Sequence, residues 1–377
     1  MKNITISREE ENQLKRQLEK RTDFEAQRMR RYLAMPDLTR TPGSPIAQII
    51  DKVKQIPAFK NLDDISIPEI VPTKILFDPF NMPPGHPARS KSDTYYVDGD
   101  HILITHDTVF WYYYFNHPQI KKRIEAKQDI GAICYAKVYR KDEIDRHHMN
   151  VFHQFGGLYL TPDEKKNITL EDLQNVEAEV AKSIFGPNVE YNFTPETFPY
   201  TDPSIEMNIK IKDEWVEMVG SGLPRKDVLK NFGVTGYNGW AFGFGLERLA
   251  IVSMDLPDIR LLWSNDPRVT KQLKLGQKFA EVSKYPPIIR DISFIVSKDF
   301  VPNNYFDLIR EIGKDLVEEV QLLDKYEDEN KFGLGKGSYT YRVIYRSPER
   351  TLRAEEVEPL QAKLYDATKR QFNAELR

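Results

Sequence analysis

Gly236-Tyr-Asn-Gly-Trp-Ala-Phe-Gly-Phe-Gly-Leu-Glu-Arg-Leu-Ala250 is the stretch on which the fold turns. Four glycines alternate with aromatic residues and Ala241, and a run of helix formers then begins at Leu246. Gly239, Gly243 and Gly245 admit a flat group close to the backbone, because a missing Cβ is what permits that approach. Leu246, Leu249, Ala250 and Ile251 fall on one side of a helix. Arg248 stands among them, and a guanidinium in such a setting is costly unless a ligand or a carboxylate pairs it.

The 377 residues leave room for two or three domains, and 40% hydrophobic residues supply their cores. No apolar run approaches the roughly 20 residues of a membrane span, so the sequence reads as soluble, with no membrane partner. One cysteine, Cys134, excludes a disulfide framework and a cysteine-rich metal site, and it points to a reducing compartment. With a net charge of −3, any nucleic-acid surface has to be local. The acidic start, Arg8-Glu-Glu-Glu11, has no apolar signal core and is unlike an acid-poor transit peptide. The expectation is a chain without a targeting signal, or one from which it has been removed.

Residues 1–40 form an expected N-terminal helical arm with a thin apolar stripe of Leu14, Leu18, Met29 and Leu33. It is either a solvated helix along an edge or an arm that touches RNA phosphate or a partner subunit. Asp98-Gly99-Asp100 predicts a hairpin between Tyr95–Val97 and Ile102–Thr105. His106 follows it, as a satisfied structural histidine or as a ligand contact at a strand end. Asp107 or Thr108 would cap the aromatic run after it. Two further strands, Gly131–Arg140 and Val151–Leu160, flank a polar loop, and Arg140 at the end of the first suits a phosphate. His147, His148 and His153 do not make a zinc site, since adjacent histidines point apart and no cysteine or carboxylate stands at ligand spacing. Glu217, in mid-strand among Trp, Val and Met residues, needs a cation, for which a nucleotide-bound magnesium is a candidate. Hairpins and loops join these strands, so the sheet is mostly antiparallel, and no Gly-x-Gly-x-x-Gly opens a helix after a strand.

After a polar linker over residues 274–284 the pattern becomes β-α-β-β-α, a small ferredoxin-like split βαβ domain over 285–377. Residues 331–353 hold six lysines and arginines against Glu349 alone, with Tyr339, Tyr341 and Tyr345 interleaved. That is a basic, aromatic strand suited to RNA, or else a solvated face.

Several stretches resemble the phenylalanyl-tRNA synthetases of class II. They are Arg140–Gly157 with Phe152-His-Gln154, Phe198–Ser204, and Gly239-Trp-Ala-Phe-Gly-Phe-Gly-Leu-Glu-Arg248. His86-Pro-Ala-Arg89 with Asp93-Thr94, and Pro257-Asp-Ile-Arg260 with Trp263-Ser-Asn-Asp266, match as well. The end of the chain resembles the family's anticodon-binding domain, which implies the single-chain, mitochondrial-type architecture. The implied fold is α+β: a class II catalytic domain over 41–273, with a mostly antiparallel sheet flanked by helices, plus the ferredoxin-like domain.

The resemblance implies that ATP, with Mg2+, activates phenylalanine and that the amino acid then passes to the terminal ribose of tRNA(Phe), with the enzyme a monomer. It makes Arg140 and Arg248 the catalytic residues, on the α- and γ-phosphates. His148, Phe152, Glu217 and Phe242 complete the ATP site, with Phe242 against the adenine and Glu217 toward the magnesium. His106, Thr108, Trp111, Gln154, Phe198, Tyr200 and Ala241 are assigned to the amino acid. Lys336, Arg342, Arg346, Arg350 and Arg353 are assigned to tRNA. Four positions depart from the family pattern: Thr108 for serine, Trp111 for glutamine, Gly156 for a glutamate facing the substrate ammonium, and Tyr200 for phenylalanine. They leave open the same chemistry on another amino acid. A non-catalytic tRNA-binding paralogue is the other alternative, against which the retention of both arginines speaks. The expected compartment is the cytoplasm of a bacterial-type single chain, with the mitochondrial matrix as the alternative.

Overall fold

The computed structural model describes residues 2–281 and 285–377, so the last three positions of the expected linker lie outside the described residues. The chain divides into two compact units. The first comprises Met1–Arg140, Val151–Leu256 and Leu273–Lys278, and the second Lys141–Asn150, Pro257–Gln272 and Phe279–Arg377.

The strands of the first unit are β1 (Asn3–Thr5), β2 (Asp63–Ser66), β3 (Ile70–Pro72), β4 (His101–Leu103), β5 (Ile130–Tyr139), β6 (Val151–Pro162), β7 (Tyr191–Glu196), β8 (Thr201–Ile211), β9 (Glu214–Pro224) and β10 (Tyr237–Gly245). Eight of them form one sheet in the order β1-β2-β5-β6-β10-β9-β8-β7, while β3 and β4 pair separately. Only β1–β2 and β2–β5 run parallel, so the mostly antiparallel expectation holds. Every residue of β5 is buried, as suits a strand covered on both faces. The expected hairpin is present: Tyr96 bridges Ile102, and the Val97 N–H donates to the His101 carbonyl at 2.8 Å. The helix Leu170–Phe185 starts at a capping box of Thr169 and Asp172, which satisfies two free backbone donors.

Residues 1–40 do not stand apart as an arm. β1 extends the sheet, and the helices Glu9–Lys20 and Phe24–Ala34 place Leu14, Leu18, Ala26, Met29 and Tyr32 in the main core. Ala26 and Tyr32 widen what the sequence presents as a thin stripe.

In the second unit β11 (Ile288–Ser297), β12 (Val317–Tyr326), β13 (Lys336–Tyr345) and β14 (Glu375–Leu376) form a sheet ordered β12-β13-β11-β14, with helices Pro302–Gly313 and Ala354–Phe372. The expected β-α-β-β-α order is followed by one short extra strand. Ile144, from the loop Lys141–Asn150, is buried in this unit's core with Phe294, Tyr305 and Tyr341. The Val320 N–H donates to the Ile144 carbonyl at 3.0 Å, and Arg310 donates to the Glu143 carbonyl at 2.7 Å. Residues 141–150 and 257–272 therefore group with the C-terminal unit, whereas the sequence reading places them inside the span 41–273.

Candidate active site

The pleat of β10 sets which side chains share a face. Gly245 pairs with Gln154, Gly243 with Gly156 and Ala241 with Leu158 on β6, while Gly220 and Gly222 of β9 oppose Gly243 and Ala241. Alternation puts Phe152 and Gln154 on this same face and Trp240, Phe242 and Phe244 on the other. The glycines leave space that neighbouring side chains take. A Cβ on Gly220 would come 2.6 Å from Phe198 Cζ, and one on Gly156 would come 2.9 Å from Asp107 Cγ.

Aromatic residues wall one end. Phe198 and Tyr200 stack at 5.9 Å with 12° between planes. Tyr200 meets Phe80 edge-on at 6.0 Å and Trp111 at 6.5 Å. Burial pushes the Tyr200 hydroxyl up to about 12, so it stays protonated. Trp111 is fully buried against Phe80, Phe115 and Phe232.

His106 and Asp107 lie between this wall and the arginine at the end of β5. Both ring nitrogens of His106 are buried without a partner, so the satisfied structural histidine is not what the fold builds. Burial, with the Arg140 charge adding to it, holds His106 down at about 3, which leaves a neutral ring with one donor and one acceptor. The Asp107 N–H donates to Gln154 Oε1 at 3.1 Å, and Thr108 follows in the same helical turn. Arg140 Nε donates to the Thr105 carbonyl at 2.8 Å, and its guanidinium lies 5.2 Å from the Phe152 ring centroid, a cation–π approach.

Arg248 and Glu217 answer each other. Arg248 Nη1 is 3.3 Å from Glu217 Oε2, with side chains 43% and 45% exposed, and it donates to the Glu217 carbonyl at 3.0 Å. Two expectations change. The helix Leu246–Met254 buries Leu246, Leu249, Ala250 and Ile251, yet Arg248 turns outward. Glu217 is half exposed, and the cation beside it is this arginine. Glu206 is close by: burial raises its carboxyl, with Glu217 the next cause and Arg248 opposing. Among the described residues no group of three or more His, Cys, Asp or Glu is gathered for a metal. Two neighbouring carboxylates nevertheless suit a magnesium that takes its other ligands from phosphate oxygens and water. The sequence reading overlooked Glu206, whose place opposite Gly220 in β8 is visible only from the pairing.

Phe242 is a correction. It is 6% exposed and lies on the opposite face, packed on Phe59, Phe155 and Phe244 at 5.3–5.6 Å between centroids. A Cβ on Gly157 would come 2.5 Å from its Cε1. Its ring fills the back of the sheet and does not reach the face that carries Arg140 and Gln154. His153 is structural: its N–H and Nδ1 bond the buried Glu247 at 2.7 and 2.6 Å, and its Nε2 accepts from the Leu38 N–H at 3.0 Å. His148 belongs to the second unit, where Nδ1 is 2.7 Å from Asp145 Oδ2.

The basic strand of the second unit is also revised. Tyr339, Tyr341 and Tyr345 point inward and form its core. Arg342 makes a bidentate pair with Asp291 at 2.9 Å, Arg346 pairs with Glu318 at 2.7 Å, and Arg350 donates to Glu356 at 2.6 Å. These carboxylates lie outside residues 331–353, so the local charge excess largely disappears in the fold. Lys336 and Arg353 remain exposed.

A family described as tRNA synthetases class II core domain (F) matches residues 33–273. Another, described as ferredoxin-fold anticodon binding domain, matches residues 283–377. The chain is 40% identical over 330 residues to a chloroplastic/mitochondrial phenylalanine–tRNA ligase of Arabidopsis thaliana, covering 85% of this chain and 73% of that protein. It is 34% identical over 338 residues to a mitochondrial phenylalanine–tRNA ligase of Mus musculus, covering 80% and 72%. A phenylalanine–tRNA ligase alpha subunit of Chlorobaculum parvum matches at 32% over 261 residues, 64% of this chain and 73% of that subunit. The glycine-thinned antiparallel sheet, its two arginines and the C-terminal ferredoxin-like unit thus fall within one family: the chain belongs to the phenylalanine–tRNA ligases of class II.

Proposed function

We propose that ligation of phenylalanine to tRNA(Phe) runs on the face of β6, β9 and β10 that carries Phe152, Gln154 and the glycines. The supporting observation is that the rings of Phe198, Tyr200, Trp111 and Phe80 adjoin the buried polar groups of His106 and Asp107, with Arg140 and Arg248 set to meet phosphates. Phe152 takes the adenine, in place of Phe242. Arg140 stabilises charge on the α-phosphate while the phenylalanine carboxylate attacks phosphorus and the bond to the β-phosphate oxygen breaks. Arg248 exchanges its contact with Glu217 for the departing pyrophosphate. Glu206 and Glu217 would hold magnesium, which when bound neutralises phosphate charge. Positioning and preorganised charge carry the chemistry, and no protein nucleophile is needed. His106, Thr108, Gln154, Phe198, Tyr200, Ala241 and Trp111 line the amino-acid side. The C-terminal unit presents Lys336 and Arg353 to the tRNA.

The enzyme acts as a monomer, and the relatives named mitochondrial or chloroplastic/mitochondrial favour an organelle matrix over a bacterial cytoplasm. No helix of the described residues is long and apolar enough to cross a membrane. The test is exchange of labelled pyrophosphate into ATP, run with each amino acid in turn. Phenylalanine should drive exchange, and Arg248→Ala should slow it roughly a hundredfold or more. Exchange driven by another amino acid instead, or at a normal rate in that variant, would overturn these assignments.

A further inference from the structure

Asp107 is 1% exposed, and its Oδ2 is buried with no hydrogen-bond partner. A buried carboxylate oxygen left open is costly, so it marks a place where something else binds. The fold makes room for this group. A Cβ on Gly156 would come 2.9 Å from Asp107 Cγ, and one on Gly243 would come 3.9 Å from Oδ1. The carboxylate therefore lies over the backbone of β6 and β10, on the pocket face. The other charged or polar groups there include the Arg140 cation, the neutral His106 and the Tyr200 hydroxyl, while Glu206 and Glu217 stand with Arg248. A free amino acid brings one carboxylate and one ammonium, and the ammonium needs an anion inside the aromatic pocket.

We propose that Asp107, whose carboxylate fills the space left by the missing Gly156 side chain, binds the α-ammonium of phenylalanine, its unpartnered Oδ2 accepting from the ammonium. This rests on reading the face as the amino-acid site. A helix-capping role is the competing explanation, because Asp107 opens the turn Asp107–Val109. Capping needs only an acceptor oxygen, which asparagine retains, whereas binding an ammonium in a buried site needs the charge.

The test compares the full-length protein with Asp107→Asn, using two partial substrates in calorimetry. Phenylalaninol has the ammonium and no carboxylate; hydrocinnamate has the carboxylate and no ammonium. Asp107→Asn should weaken phenylalaninol and phenylalanine by about 10- to 100-fold, the range for a lost charge-assisted bond. Hydrocinnamate and ATP should change less than about threefold. A double variant, Asp107→Ala with Gly156→Glu, returns a carboxylate from β6 and should recover part of the phenylalaninol affinity. For the wild type, burial raises Asp107 to about 7, against Arg140 and neighbouring N–H groups. Phenylalaninol affinity should therefore fall as pH drops below that value. His106, Tyr200 and Cys134 face the same space, and all three keep their charge state across the range. Unchanged phenylalaninol affinity in Asp107→Asn, or equal losses for hydrocinnamate, would overturn the proposal while wild-type phenylalanine exchange still upheld the ligase reading. Absence of that exchange in the wild type would remove both.

Discussion

Replacing Phe242 separates the two faces of the sheet. The ring is 6% exposed and is packed by Phe59, Phe155, Trp240 and Phe244, with centroids 5.3–5.6 Å away. It also occupies the space beside Gly157, where a Cβ would come within 2.5 Å of Cε1. Phe242→Ala removes most of that packing and leaves a cavity that rigid β-strands cannot close. The expected cost is about 3–5 kcal/mol, the range for a fully buried phenylalanine. The KM for ATP should stay within about threefold, since nothing on the nucleotide face is altered. Phe152→Ala should do the reverse. Loss of an aromatic platform for a base costs about 1–3 kcal/mol, so KM for ATP should rise roughly 5- to 150-fold, with a smaller effect on stability. Urea unfolding followed by tryptophan fluorescence reads mainly the first unit, which holds three of the four tryptophans, Trp111, Trp215 and Trp240, while Trp263 lies in the second and is replaced by phenylalanine in the background used. Pyrophosphate exchange at varied ATP reads the site. A tenfold rise in KM for ATP in Phe242→Ala, with the unfolding transition unmoved, would refute the assignment of this ring to the back of the sheet.

Asp107 should make stability pH-dependent. Its carboxyl ionises near 3.8 when unfolded and at about 7 when folded, so the folded state is penalised progressively as pH rises through that window and by a constant amount above it. Asp107→Asn should gain stability over wild type across the same window, by about 4 kcal/mol at most; thermal melts at several pH values measure this, and a pH-independent difference would refute it. Gly157→Ala should destabilise the first unit through collision with Phe242, visible in the same urea transition. In the second unit, Lys336→Ala should weaken tRNA binding and flatten its salt dependence more than Arg342→Ala, because Asp291 already holds Arg342; filter binding at several salt concentrations decides between them.

The sequence alone determined much of this protein. Apolar runs marked the strands that carry Arg140 and Gln154, Asp98-Gly99-Asp100 marked the hairpin, and the β-α-β-β-α order marked the C-terminal domain. These signals are local: turn chemistry and side-chain period act within a few residues. Of the glycines at 239, 243 and 245, which in sequence suggest a closely approached backbone, Gly239 is pressed against β6, where a Cβ would come 2.8 Å from Leu160 Cδ2, while Gly243 and Gly245 meet only ordinary contacts at 3.9 and 4.0 Å. Only the tertiary structure decided which face each residue serves. Phe242 stands one residue from Ala241 and Gly243 yet faces the other way, because a strand sends successive side chains to opposite sides. Arg248 and Glu217 each seemed to lack a counter-charge until the sheet and the following helix put them 3.3 Å apart. Arg342, Arg346 and Arg350 belong to a basic cluster in sequence but are neutralised by Asp291, Glu318 and Glu356 in the fold. Asp107 read as a helix cap, and its buried open oxygen emerged only when Gly156 came to lie beneath it. Charge pairing and burial depend on residues far apart in the chain, and a window of sequence does not contain them.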